Sequence, residues 1–157
     1  MGKINVTVDD RTYQADKGIS ILDFIRANFS NDVYKYVLAT KNSKLTELFT
    51  TLDSDCKLEL IPKNTTIGMD TYKRSLTLIM VAAFARVLGS KNNHRINVMY
   101  SMGRGYFCRL ESESIKVTDE LLKEVKSVMK EMIDSDIVIN KETLGTDDAV
   151  ARFAAQG

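Results

Sequence analysis

The sequence predicts an α+β protein built in two parts. Three observations carry that expectation. The first residues alternate in polarity, with Ile4, Val6 and Val8 on one side, the period-two pattern of a half-buried strand. The front part then reads strand, strand, helix, strand, strand. Past Pro62 the texture changes to long helical patterns separated by one short alternating pair. A length of 157 residues suits one medium domain or two small ones. With 44% hydrophobic and 27% charged residues the chain is a folded protein rather than a disordered one.

Residues 3–8 form the first strand, Asp9-Asp10 turns the chain, and residues 11–15 return as the second strand of a hairpin. Gly18 breaks the chain. Ser20 then caps a helix whose Ile21, Leu22, Ile25 and Phe29 recur at helical spacing. Residues 36–40 read as a strand and Asn42-Ser43 as a turn, with Leu45 and Leu48 anchoring the connection. Residues 56–61 are the closing strand, with Leu58 and Leu60 inward. One helix covering one sheet face in this order is a β-grasp arrangement, and it assigns residues 1–62 to the first domain.

Pro62 and the polar run Lys63-Asn64-Thr65-Thr66 mark the expected boundary. A second domain follows from residue 68. Its first helix is expected to be capped by Asp70 or Thr71 and to run to Leu88, with Leu76, Ile79, Met80, Ala83, Phe84 and Val87 on one broad face. Residues 95–101 and 106–110 are strands around the turn Gly103-Arg104-Gly105. Thr118 caps the clearest helix, Asp119 and Glu120 suit its positive end, and Val117 and Leu122 take staple positions. Leu121, Val125, Val128, Met129, Met132 and Ile133 form its apolar stripe. Residues 136–140 read as a short strand, and Thr146 caps a last helix with Val150, Phe153 and Ala154 on one side. The ending Ala155-Gln156-Gly157 reads as a cut within a longer chain, so the second domain is expected to be truncated.

No apolar leader precedes the first strand, and the longest apolar run is shorter than the roughly 20 residues a bilayer needs. Cys56 and Cys108 are far apart and match no metal spacing, so both are expected as reduced thiols. These features predict a cytoplasmic protein without a membrane partner. The net charge of +1 conceals a split. Residues 68–110 carry seven basic side chains (Lys73, Arg74, Arg86, Lys91, Arg95, Arg104, Arg109) against Asp70, whereas residues 111–157 carry six basic against eleven acidic. The basic segment is either a face for phosphate or RNA, or it pairs with the acidic last third.

Catalytic patterns are absent from these residues. There is no Walker phosphate loop, no Gly-x-Ser-x-Gly and no Cys/His pair at useful spacing. His94, the single histidine, falls in the polar stretch GSKNNHRIN and is expected to be an exposed loop residue. The candidate binding residues are Lys73, Arg74, Ser75, Arg104, Tyr106 and Arg109, with no catalytic and no metal-ligating residue. Arg74 and Ser75 are expected in the first turn of their helix, where free backbone N–H groups favour an anion. Arg104 and Arg109 would approach across a cleft to hold a phosphate, and neighbouring aromatics such as Tyr106 would stack a base.

Two stretches carry a resemblance. Val37-Leu38-Ala39-Thr40-Lys41-Asn42-Ser43-Lys44-Leu45-Thr46-Glu47-Leu48, with Asp55-Cys56-Lys57-Leu58-Glu59-Leu60-Ile61, resembles a TGS domain, the small β-grasp module at the front of threonyl-tRNA synthetase. That family usually has Asn-Gly where this chain has Asn42-Ser43. The second part resembles the editing-type second additional domain that follows TGS in the threonyl-tRNA synthetases, an α+β domain shared with the alanyl enzymes. Its helix opens on a motif like Arg-His-Ser-x-x-His, and here the stretch is Lys73-Arg74-Ser75-Leu76-Thr77-Leu78. Gly105-Tyr106-Phe107-Cys108-Arg109-Leu110 and Val117-Thr118-Asp119-Glu120-Leu121-Leu122 match later parts of that domain.

The same pair of domains precedes a P-loop kinase in a bacterial family similar to uridine kinases, and Gly103-Arg104-Gly105-Tyr106-Phe107-Cys108 looks closer to that family. The resemblance implies a non-catalytic regulatory or RNA- or nucleotide-binding N-terminal module of a uridine kinase-like protein. A kinase domain in cis, with ATP and Mg as its cofactors, would lie downstream, and tRNA or a nucleotide would be the partner. The alternatives are a tRNA-editing-like hydrolase that has lost its histidines, and a TGS-based sensor of tRNA or the ribosome. The editing chemistry uses two histidines at i and i+4. Here those positions hold Arg74, which stays protonated, and Leu78, which is inert.

Overall fold

The computed structural model describes residues 2–29, 34–89, 94–103, 105–137 and 139–154. Two compact units divide the chain, Met1–Ala82 and Ala83–Gly157.

The first unit is a mixed sheet over one short helix. Strands β1 (Lys3–Val8) and β2 (Arg11–Asp16) pair antiparallel with Val8 opposite Arg11, leaving Asp9 and Asp10 as a two-residue loop. Both have positive φ, 47° and 62°, which matches the turn to the twist of the strands. The short β3 (Ile19–Ser20) leads into α1 (Ile21–Asn28). Ser20 caps α1 by accepting from the Asp23 N–H at 3.0 Å, and its hydroxyl donates to the Asp23 carboxylate at 2.7 Å. That hydroxyl, and next Arg26, hold Asp23 below the usual carboxylate range.

Strands β4 (Tyr36–Lys41) and β5 (Lys44–Thr46) form the second hairpin, around Asn42 and Ser43 at φ 50° and 65°. The short β6 (Thr51–Leu52) pairs with β3, and β7 (Cys56–Pro62) closes the sheet. The strand order is β2-β1-β7-β4-β5, with β1 and β7 parallel at the centre. The sheet is mixed and carries one helix, as an α+β chain requires, and β3, β5 and β6 are strands beyond the four that the sequence predicts in this part.

Its core is formed by Ile4, Val6 and Val8 of β1, Ile21, Phe24 and Ile25 of α1, and Ala39, Leu52 and Leu58 beneath them. Tyr13, Phe24, Phe29 and Tyr36 close one end through tilted and edge-on ring contacts of 5.5–6.5 Å. Phe24, Ile21, Ile25, Leu52 and Leu58 are fully buried, and each such side chain contributes about 1.5–3 kcal/mol.

Helix α2 runs from Thr66 to Leu88. The expected start at Asp70 or Thr71 is therefore corrected: the helix begins a full turn earlier. The Thr65 hydroxyl accepts from the Gly68 N–H at 3.1 Å and donates to the Pro62 carbonyl at 2.9 Å, capping the helix directly off the end of β7. Gly89, at φ 73°, ends the helix. The compact units divide inside this helix.

In the second unit, β8 (Arg95–Met102) and β9 (Gly105–Glu111) form a two-stranded hairpin with an irregularity between Val98 and Tyr100. Tyr100 stacks on Phe107, with centroids 5.1 Å apart and planes at 22°. Helix α3 (Asp119–Asp134) is capped as expected, with Thr118 accepting from the Leu121 N–H at 3.2 Å. Its stripe is narrower than expected. Val125 and Met132 are buried, whereas Ile133 is 52% exposed.

No strand forms among the described residues of 136–140. Asp136 takes a left-handed φ of 46° and donates back to the Ile133 carbonyl, so the chain closes the helix instead of extending. Val138 lies outside the described residues. Helix α4 spans Thr146–Ala154 and buries no residue; Val150 and Phe153 are exposed. Thr146 is its first helical residue, while the Gly145 carbonyl accepts from the Ala149 N–H. Among the described residues no helix is long and apolar enough to cross a membrane.

Candidate functional site

An open cleft of about 560 Å³ lies within the first unit, beside the first turns of α2. Leu38 of β4 and Leu45, Thr46 and Glu47, in and just after β5, form one side. Ile67, Asp70, Thr71, Arg74 and Ser75 of α2 form the other. The wall positions follow from sheet pairing and helical period. Thr40 stands opposite Leu45, which sets Leu45 at the sheet edge. Ile67, Asp70, Thr71 and Arg74 recur at three and four residues and so share one helix face.

The hydroxyls of the helix wall are already committed as donors. Thr71 Oγ1 donates to the Ile67 carbonyl at 2.9 Å and Ser75 Oγ to the Thr71 carbonyl at 3.3 Å. Toward the cleft they offer lone pairs. Among the described residues the Ser75 hydroxyl is bonded to a backbone carbonyl and to no base, so it is not set up as a nucleophile.

The six residues singled out from the sequence fare differently. Arg74 and Ser75 line the cleft; Lys73 is half-buried on the same helix and does not line it. None of the three lies in the first turn. With the start at Thr66, their N–H groups lie beyond the four unpaired donors of a helix N-terminus, so the expected anion preference at Arg74 is lost. Tyr106 and Arg109 lie on β9 of the second unit. Their odd spacing sends them to opposite faces of the hairpin, so the strand does not bring them together. Arg104 lies outside the described residues. Leu38, Leu45, Glu47 and Asp70 join the site through strand pairing and helix phase, which the sequence alone does not display. Asp70 carried a signal, as the single acid in the basic segment, but was assigned to capping.

Among the described residues no cluster of His, Cys, Asp and Glu is placed to hold a metal ion. His94 differs from the expectation of an exposed loop residue: it is half-buried, and its buried Nε2 has no hydrogen-bond partner among the described residues. Within the second unit, Arg86 of the basic segment meets Glu131 of the acidic segment at 3.6 Å, an exposed pair that contributes little. Cys56 and Cys108 are free thiols, and burial pushes Cys56 above the usual thiol range.

The fold and cleft thus define a mixed α+β chain whose first unit carries a cleft of mixed apolar and charged lining, with Arg74 and Leu78 where an editing helix would carry its histidine pair. No family model matches this chain. It is similar along almost its whole length to threonine–tRNA ligases. It is 24% identical over 150 residues to that of Exiguobacterium sp., covering 95% of this chain and 23% of the ligase. It is 25% identical over 153 residues to that of Aquifex aeolicus, covering 98% of this chain and 23% of the ligase. For Thermotoga petrophila the identity is 23% over 155 residues, with 98% and 24% covered. The chain therefore spans about a quarter of the length of these curated relatives.

Proposed function

We propose that this chain is a non-catalytic, RNA- or nucleotide-binding module of a larger protein, with tRNA as the favoured partner. The observation that carries this is the extent of the similarity: 95–98% of the chain aligns with proteins named for their action on tRNA. Arg74 and Leu78, standing where the resembled editing helix carries histidine, argue against hydrolysis. Lys73, Arg104 and Arg109 are the proposed phosphate contacts, and Tyr106 a stacking surface for a base. Arg74 and Ser75 belong to the cleft, where the Asp70 carboxylate makes a phosphate unwelcome.

The finer reading is a uridine kinase-like parent, with an ATP- and Mg-dependent kinase domain in cis. It rests on the form of Gly103-Arg104-Gly105-Tyr106-Phe107-Cys108 alone, whereas the relatives matched are ligases. Reading the gene past Gly157 separates the parents. A Gly-x-x-x-x-Gly-Lys-Ser/Thr motif supports the kinase, and synthetase sequence refutes it. For the module itself, filter binding of deacylated tRNA should saturate, and mischarged tRNA should not be deacylated. Turnover lost in Arg74→Ala would overturn the non-catalytic reading.

A further inference from the structure

The charges of the first-unit cleft suit neither a polyanion nor a simple cation. Asp70 and Arg74 both line it, one turn apart on α2. Such i,i+4 pairs commonly close into an ion pair. Here neither side chain enters an ion pair or a hydrogen bond among the described residues. Glu47 adds a second carboxylate from the opposite wall. The Thr71 and Ser75 hydroxyls, their protons committed to helix carbonyls, offer acceptors beside them. Leu45 and Ile67, 52% and 53% exposed, supply apolar surface for a ligand to cover.

We propose that this cleft binds a free aliphatic α-amino acid. Its carboxylate meets the Arg74 guanidinium, its ammonium meets Asp70, and its side chain covers Leu45 and Ile67. The helix pitch of about 5.4 Å sets the two charged residues at a separation that one zwitterion bridges. A nucleotide or RNA phosphate at Arg74 would face the Asp70 carboxylate one turn away and be repelled, so this site is independent of the RNA-binding reading.

The test is an amide-shift NMR titration of the whole chain with leucine, leucinol and 2-hydroxy-4-methylpentanoate. Leucine is expected to give saturable shifts at Leu45, Ile67, Asp70 and Arg74. Leucinol lacks the carboxylate and the hydroxy acid lacks the ammonium, so each should bind about tenfold more weakly, the loss of one charged hydrogen bond. Arg74→Gln and Asp70→Asn should each weaken leucine by about the same factor, with the remaining spectrum unchanged. The proposal is overturned if leucine gives no saturable shift, if all three compounds bind alike, or if uridine monophosphate moves these amides more strongly than leucine.

Discussion

Gly68→Ala tests the junction between β7 and α2, because two principles predict opposite signs. In an exposed helix interior, glycine to alanine stabilises by about 1 kcal/mol. Gly68 is buried, however, and a Cβ there would stand 2.1 Å from the Pro62 carbonyl oxygen, 2.9 Å from its carbon and 2.9 Å from Thr65 Oγ1. The nearest obstacle is backbone and cannot rotate away, so the first turn of α2 must shift by about 1 Å or more. That shift breaks the 3.1 Å bond from the Gly68 N–H to Thr65 Oγ1 and disturbs both bonds from Thr65 to the Pro62 carbonyl. Losing the cap costs about 1 kcal/mol and the forced backbone displacement about 1–3 kcal/mol. After the propensity gain, the net expectation is destabilisation by about 1–3 kcal/mol. Urea unfolding followed by far-ultraviolet circular dichroism measures it, with Thr65→Ala as the companion at about 1 kcal/mol. A Gly68→Ala variant as stable as the parent, or more stable, would show that the Pro62 carbonyl does not exclude a Cβ at this position.

Three further outcomes follow from local geometry. Ser43 holds φ 65°, so Ser43→Gly should stabilise by about 1 kcal/mol in the same unfolding assay; Asn42 should be kept, since it exchanges two 2.8 Å bonds with Lys57. The Asp55 carboxylate accepts from the Asn5 N–H at 2.8 Å and from its side-chain amide at 3.2 Å, which lowers its pKa from 3.8. Its contribution is present above 3.8 and is lost as pH falls through the lower native value, so Asp55→Asn should flatten the acid end of the stability profile. Thiol labelling read by mass spectrometry should modify half-buried Cys108 first and reach Cys56 only on unfolding, since Cys56 is buried and its thiolate disfavoured.

The front half was legible because its signals are local. Ser20 caps α1, Asp9-Asp10 and Asn42-Ser43 turn their hairpins, and the alternation of β1 fixes its inner face. The two-residue strands β3 and β6 were not, because alternation has no meaning at that length. The start of α2 was misplaced for a tertiary reason. Thr65 and Thr66 sit in the polar run that reads as a boundary, and only the close approach of Gly68 to the Pro62 carbonyl lets Thr65 cap a helix there. The segment at 136–140 looked like a strand from composition, but the left-handed Asp136 turns it back onto α3. In the cleft, Arg74 and Ser75 were visible as unusual polar residues, while Leu38 and Leu45 join them through strand pairing. The separation of Tyr106 from Arg109 could have been read from their odd spacing on a strand.

The proposed RNA binding without catalysis is decided by tRNA binding across a salt series. Fluorescence anisotropy with labelled tRNA should give saturable binding whose affinity falls linearly on a log–log plot against salt. Each phosphate contact contributes a slope of about 0.7–0.9, so Arg109→Gln and Lys73→Gln should each lower the slope by about one contact. No binding at low salt, or an affinity that stays flat as salt rises, would rule out phosphate recognition by this chain.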